Sequence, residues 1–101
     1  MNNPLHEITK FKEYQVKNDK RLSDDEQLLF RFENGYGASV VHRIGSYGFS
    51  AGLMELAVIY WDNFNWHLTY STKITDDVIG FLNVEQVEEL LGKIKKLKEN
   101  R

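Results

Sequence analysis

The chain contains no cysteine and a single proline, and the first of these shortages excludes several chemistries at once. Without thiols there is no disulfide, thiolate zinc site, iron-sulfur cluster or cysteine nucleophile. Long apolar runs are also missing. A representative one, Leu56-Ala57-Val58-Ile59-Tyr60-Trp61, falls far short of the roughly 20 residues of a membrane span. The opening residues Met1-Asn2-Asn3-Pro4-Leu5-His6-Glu7 lack the basic region, apolar segment and small-residue cleavage site of a secretory signal. The expected location is therefore intracellular, and a chain without cysteine suits a bacterial cytoplasm. Charge of one sign is scarce too: 13 Lys and Arg face 15 Asp and Glu, for a net charge of -2. Such a balance is too even for a nucleic-acid mimic, which needs a dense acidic surface.

What is present is a chain of 101 residues, 42% of them apolar, the size of one globular domain. A chain of this length buries roughly 60 to 70% of its unfolded surface in one core and needs no metal staple. Residues 1 to 26 carry mixed charge with scattered apolar positions and read as a partly ordered N-terminal arm, leaving 27 to 101 as one α+β domain. Ser23 and Glu26 match a helix-capping pattern, but Gln27-Leu28-Leu29-Phe30 continues as a strand.

Strand signals dominate the middle of the chain. Leu28, Phe30 and Phe32 alternate with Arg31 and Glu33, the period of a half-buried strand. Glu33-Asn34-Gly35 then reads as a three-residue hairpin loop. Its register sets Phe32 opposite Tyr36, Phe30 opposite Ala38 and Leu28 opposite Val40, so apolar faces coincide. The second strand covers about 36 to 44. The third, about 53 to 61, is apolar on both faces, which is expected of a central strand. Asp62-Asn63-Phe64-Asn65 turns into a fourth strand at about 66 to 71. The connection from Gly45 to Gly52 is long and is expected to be flexible. The last element is a helix: Asn83 and Gln86 form a capping box, Leu82 and Val87 a hydrophobic staple, and Val87, Leu90, Leu91, Ile94 and Leu97 one apolar stripe. Its acids crowd the first turns and its lysines the last, the order the helix dipole favours. Gly92 interrupts the stripe and suggests close approach to the sheet. The fold class is α+β, a four-stranded antiparallel meander with a C-terminal helix packed on one face.

No motif for chemistry emerges. Gly45 to Gly52 lacks the Lys-Ser/Thr ending of a phosphate loop and precedes a strand where a helix is required. Adjacent Asp76 and Asp77 read as part of a single turn that Thr75 caps and Gly80 closes, because neighbouring carboxylates seldom converge on one ion. His6, His42 and His67 are too scattered for a metal motif. The chain therefore reads as non-enzymatic, with no metal and no cofactor. Lys93, Lys95, Lys96, Lys98 and Arg101 could track a nucleic-acid backbone, yet the dipole explains most of them equally well. Aromatic residues are in surplus, at 13% of the chain, more than one sheet face under one helix can bury. Exposure is expected among Tyr36, Tyr47, Phe49, Trp61 and Phe64, and exposed aromatics are the usual anchors of protein interfaces. Tyr36, Tyr47, Phe49 and Phe64 are the candidate binding residues. The competing reading is a second sheet face covered by the N-terminal arm or by a second copy of the chain.

The segments Glu33-Asn34-Gly35-Tyr36-Gly37-Ala38-Ser39-Val40-Val41, Ser46-Tyr47-Gly48, Gly52-Leu53-Met54-Glu55-Leu56-Ala57-Val58 and Ile74-Thr75-Asp76-Asp77-Val78-Ile79-Gly80-Phe81-Leu82 resemble a family of small uncharacterised phage and prophage proteins. The resemblance spans about residues 30 to 97, and Phe49-Ser50-Ala51 departs from the family's glycine-rich loop. It implies a protein made inside an infected or lysogenic bacterium. Small non-catalytic phage proteins commonly bind and block a host protein, defence nucleases included. The expected function is such a binding inhibitor. The alternative is a phage accessory protein that binds nucleic acid or assembles with itself as a homodimer.

Overall fold

Strand alternation and the loop at Gly35 produce the expected hairpin. Strand β2 (Gln27–Arg31) pairs antiparallel with β3 (Tyr36–Val41), with Leu28 opposite Val40 and Phe30 opposite Ala38. The loop closes by two backbone bonds, Phe32 N–H to the Tyr36 carbonyl and Gly35 N–H to the Phe32 carbonyl. Gly35 has a φ of +89°, a conformation that costs glycine nothing. The computed structural model describes residues 3–18, 22–69, 72, 74 and 78–98. Thr75, Asp76, Asp77, Tyr70, Ser71 and Arg101, which entered the reading above, lie outside the described residues.

Strand β4 (Met54–Asp62) pairs with β3 on one side and with β5 (Asn65–Leu68) on the other, so the four-stranded meander forms. Two further strands widen it to six. The short β1 (Gln15–Val16) adds outside β2, and β6 (Ile79–Leu82) pairs with the first half of β4. Strands β5 and β6 thus share one edge of β4, since Thr69 N–H still bonds the Val58 carbonyl and pairing resumes at Leu56 opposite Ile79. Gly80, expected to close a helical turn, lies inside β6 instead. The turn at Asn63 and Phe64 needs a φ of +56° at Asn63, which a short polar side chain tolerates.

Helix α1 (Val84–Lys95) begins at the expected capping box: Asn83 Oδ1 accepts from Gln86 N–H at 2.8 Å, and Gln86 Oε1 accepts from Asn83 N–H at 2.9 Å. Val87, Leu91 and Ile94 are fully buried against Phe30, Val40, Leu56 and Val58. Gly92 does not touch the sheet. An added methyl there would meet Phe11 Cζ at 3.7 Å, an ordinary contact.

The N-terminal residues complete this core. Leu5 and Ile8 are buried in it, and Glu88 Oε2 accepts from both Thr9 and Lys10 N–H at 3.0 Å. The arm therefore shares the face covered by α1. The other face carries a smaller cluster of Leu29, Ile59, Trp61 and Trp66, which accounts for the apolar second side of β4. Ser23 and Glu26 build only one turn, in which the Ser23 carbonyl accepts from Glu26 and Gln27 N–H, because strand pairing begins immediately at Gln27.

Candidate functional site

The connection between β3 and β4 is shaped by its glycines. Gly45, Gly48 and Gly52 all have positive φ, and Phe49–Ala51 forms a single tight turn between the last two. The expected flexible loop is in fact tied down at several points. Leu53 N–H returns to the Gly48 carbonyl at 2.9 Å, and Tyr47 N–H donates to Glu55 Oε1 at 3.3 Å. His42 Nδ1 donates to the Leu53 carbonyl at 2.9 Å, and its ring lies 4.6 Å from that of Phe49. A carbonyl only accepts, so this bond places the proton on Nδ1.

Against this loop runs β6. Phe81 N–H points at the Tyr47 carbonyl, 3.4 Å away. The two segments approach so closely that a side chain would clash at Gly80 and be crowded at Gly48. A methyl on Gly80 would sit 2.5 Å from Tyr47 Cβ, and one on Gly48 3.0 Å from Phe81 Cα. Phe81 itself takes a φ of +57°, uncommon for a bulky residue and a sign of local constraint. The register of β6 on β4 shifts between Met54 and Leu56, and such a bulge re-aims a side chain. The outcome is two large aromatic residues exposed on adjoining backbone segments, Tyr47 at 63% and Phe81 at 62%. Ile44, on the same loop, is 84% exposed.

The four predicted binding residues do not come together. Tyr47 belongs to this site. Phe49 is only half-buried, its ring occupied by His42. Phe64 is 92% exposed but sits in the β4–β5 turn, at the far end of β4; nine strand residues from Met54 to Asp62 amount to roughly 25 to 30 Å. Tyr36 is buried at 7%, edge-on to Tyr60 with ring centroids 5.2 Å apart, so it is not an exposed anchor. Its expected exposure fails because its partner in register, Tyr60, extends the apolar face under α1. Trp61 is also buried, in the second cluster. Sequence reasoning missed Phe81, although the Gly80-Phe81 step signals a close backbone approach within a strand.

His42 follows the end of β3 while His67 lies within β5, and the two make separate ring contacts, His67 with Tyr60 at 5.9 Å. Among the described residues no group of three His, Asp or Glu is placed to hold a metal ion, and no helix is long and apolar enough to cross a membrane. The basic end of α1 is partly engaged within the fold: Lys93 pairs with Glu89 at 3.6 Å, and Lys95 Nζ lies 5.5 Å from the Tyr14 ring centroid. Comparison with protein-family models, curated proteins and solved structures finds no match.

Proposed function

We propose that this chain is a small non-enzymatic binding protein of phage type, which attaches to a host protein through the Tyr47–Phe81 pair and blocks it. The observation that carries this reading is the exposure of two large rings on a backbone that Gly48 and Gly80 hold together. An aromatic side chain has few rotatable bonds, so covering it with a partner gains much apolar area for little entropy. Side chains of this kind dominate the binding energy of protein interfaces. The phage reading rests on the resemblance, two segments of which, Ser46-Tyr47-Gly48 and Ile79-Gly80-Phe81-Leu82, lie far apart in the chain and adjoin in the fold. A blocking role against a host protein, defence nucleases included, asks for a firm surface and no chemistry. The test is affinity capture of the tagged protein from bacterial lysate, with and without nuclease treatment, read by mass spectrometry. One host protein retained after nuclease treatment supports the reading. Recovery of nucleic acid, or of the protein alone, favours the accessory or self-assembling alternative.

A further inference from the structure

The sheet face turned away from α1 holds a cleft of about 610 Å³. Its floor is Leu29 and Trp61, and its walls come from Val16 and Lys17 on one side and from Phe64 and Trp66 on the other. Arg31 stands in it as a fixed cation. Its guanidinium carbon lies 5.3 Å from the Trp61 ring centroid, and Nη1 donates to the Asn63 carbonyl at 2.6 Å. A guanidinium has five N–H donors, and among the described residues no carboxylate pairs with this one. Lys17 adds a second cation, and no acidic residue lines the cleft, although the chain as a whole is negative.

From this charge complementarity we infer that the cleft takes an acidic, apolar peptide segment of a protein partner. A carboxylate meets the Arg31 fork, assisted by Lys17, and neighbouring apolar side chains rest on Leu29, Trp66 and Phe64. An arginine already held by a ring and a carbonyl gives up little freedom when it binds a carboxylate in two-pronged fashion. Two cations beside an apolar floor suit a peptide carboxylate better than a nucleic-acid strand, which calls for a cationic groove that tracks its backbone. The inference rests on the reading of the chain as a protein-binding molecule, and it adds the chemistry of the segment bound.

Both tryptophans of the chain, Trp61 and Trp66, line this cleft, so intrinsic fluorescence reports its occupancy. The probes are a short end-capped peptide of alternating leucine and glutamate, its glutamine counterpart, and a short thymidine oligonucleotide. The expected result is a saturable fluorescence change with the glutamate peptide, weakened about ten-fold or more by the glutamine exchange and by Arg31→Gln. Phe64→Ala, at a solvent-exposed turn, weakens it at least about three-fold and carries the test should Arg31→Gln fail to fold. Tyr47→Ala leaves it unchanged, which separates this cleft from the Tyr47–Phe81 site. No saturable change with the glutamate peptide, equal binding of the glutamine peptide, equal binding by both cleft variants, or tighter binding of the oligonucleotide would each overturn the inference.

Discussion

The Trp61 indole lies across β3 at the one position where that strand has no side chain, Gly37, and donates from Nε1 to the Phe30 carbonyl at 2.9 Å. A methyl on Gly37 would fall 2.8 Å from Nε1 and 1.8 Å from the Phe30 oxygen. The requirement for glycine here is close approach, and it joins β2, β3 and β4 on the face away from the helix. Gly37→Ala is expected to destabilise the protein by about 3 kcal/mol or more, the upper range for forced overpacking. Urea unfolding followed by tryptophan fluorescence checks this, and an unchanged midpoint would mean that the sheet can shift to admit the methyl.

Asn34 couples the hairpin to the end of the helix. Its Nδ2 faces the carbonyls of Ile94 and Leu97, each at 2.9 Å, while its Oδ1 accepts from Tyr36 N–H. One side chain thereby ties the hairpin loop to the carbonyls at the C-terminal end of α1, where Ile94 also accepts from Leu97 N–H. Asn34→Ala is expected to cost about 1 to 3 kcal/mol, with faster amide exchange confined to the last turn of α1 and the hairpin loop. Hydrogen exchange measured by NMR distinguishes this from a loss spread over the whole molecule.

The N-terminal residues belong to the core. Leu5→Ala removes a side chain that is fully buried beside α1 and is expected to cost about 2 to 5 kcal/mol. Thermal melting of this variant beside one at the exposed Val16, where the loss is expected to stay near 0.5 kcal/mol, provides the check.

How far the fold was legible depended on the distance over which each signal acts. The hairpin could be read because Phe30 and Ala38 match across a short loop, and the helix because Asn83 and Gln86 satisfy each other within one turn. Leu5 and Ile8 looked like isolated apolar residues in a charged arm. Their burial depends on α1, whose Glu88 binds the backbone of Thr9 and Lys10 from 79 and 78 residues away. The candidate site was half legible. Tyr47 stands out in a glycine-rich loop, whereas the exposure of Phe81 accompanies a register shift between β6 and β4 that Gly80 marks only as a close backbone approach. Tyr36 misled for the opposite reason: beside a loop it suggests exposure, and only its pairing with Tyr60 buries it.

Gly92 is the remaining local conflict in α1. With Phe11 at ordinary contact distance and no sheet atom close by, alanine fits there. Gly92→Ala is expected to stabilise the protein by about 0.5 to 1 kcal/mol, the helix-propensity difference between the two residues. A rise in melting temperature checks it, and a fall would show that Phe11 cannot accommodate the methyl.

The central claim is that Tyr47 and Phe81 anchor a protein partner, and the most direct measurement compares the wild-type chain with Tyr47→Ala/Phe81→Ala in parallel captures from nuclease-treated bacterial lysate, quantified by mass spectrometry. Both rings are largely exposed, so the double variant should keep its melting temperature to within a few degrees. The account predicts one host protein retained by the wild type and reduced about thirty-fold or more in the variant, as expected when an anchor worth about 2 kcal/mol or more is removed. Equal retention by the two chains, with the variant folded, would contradict it.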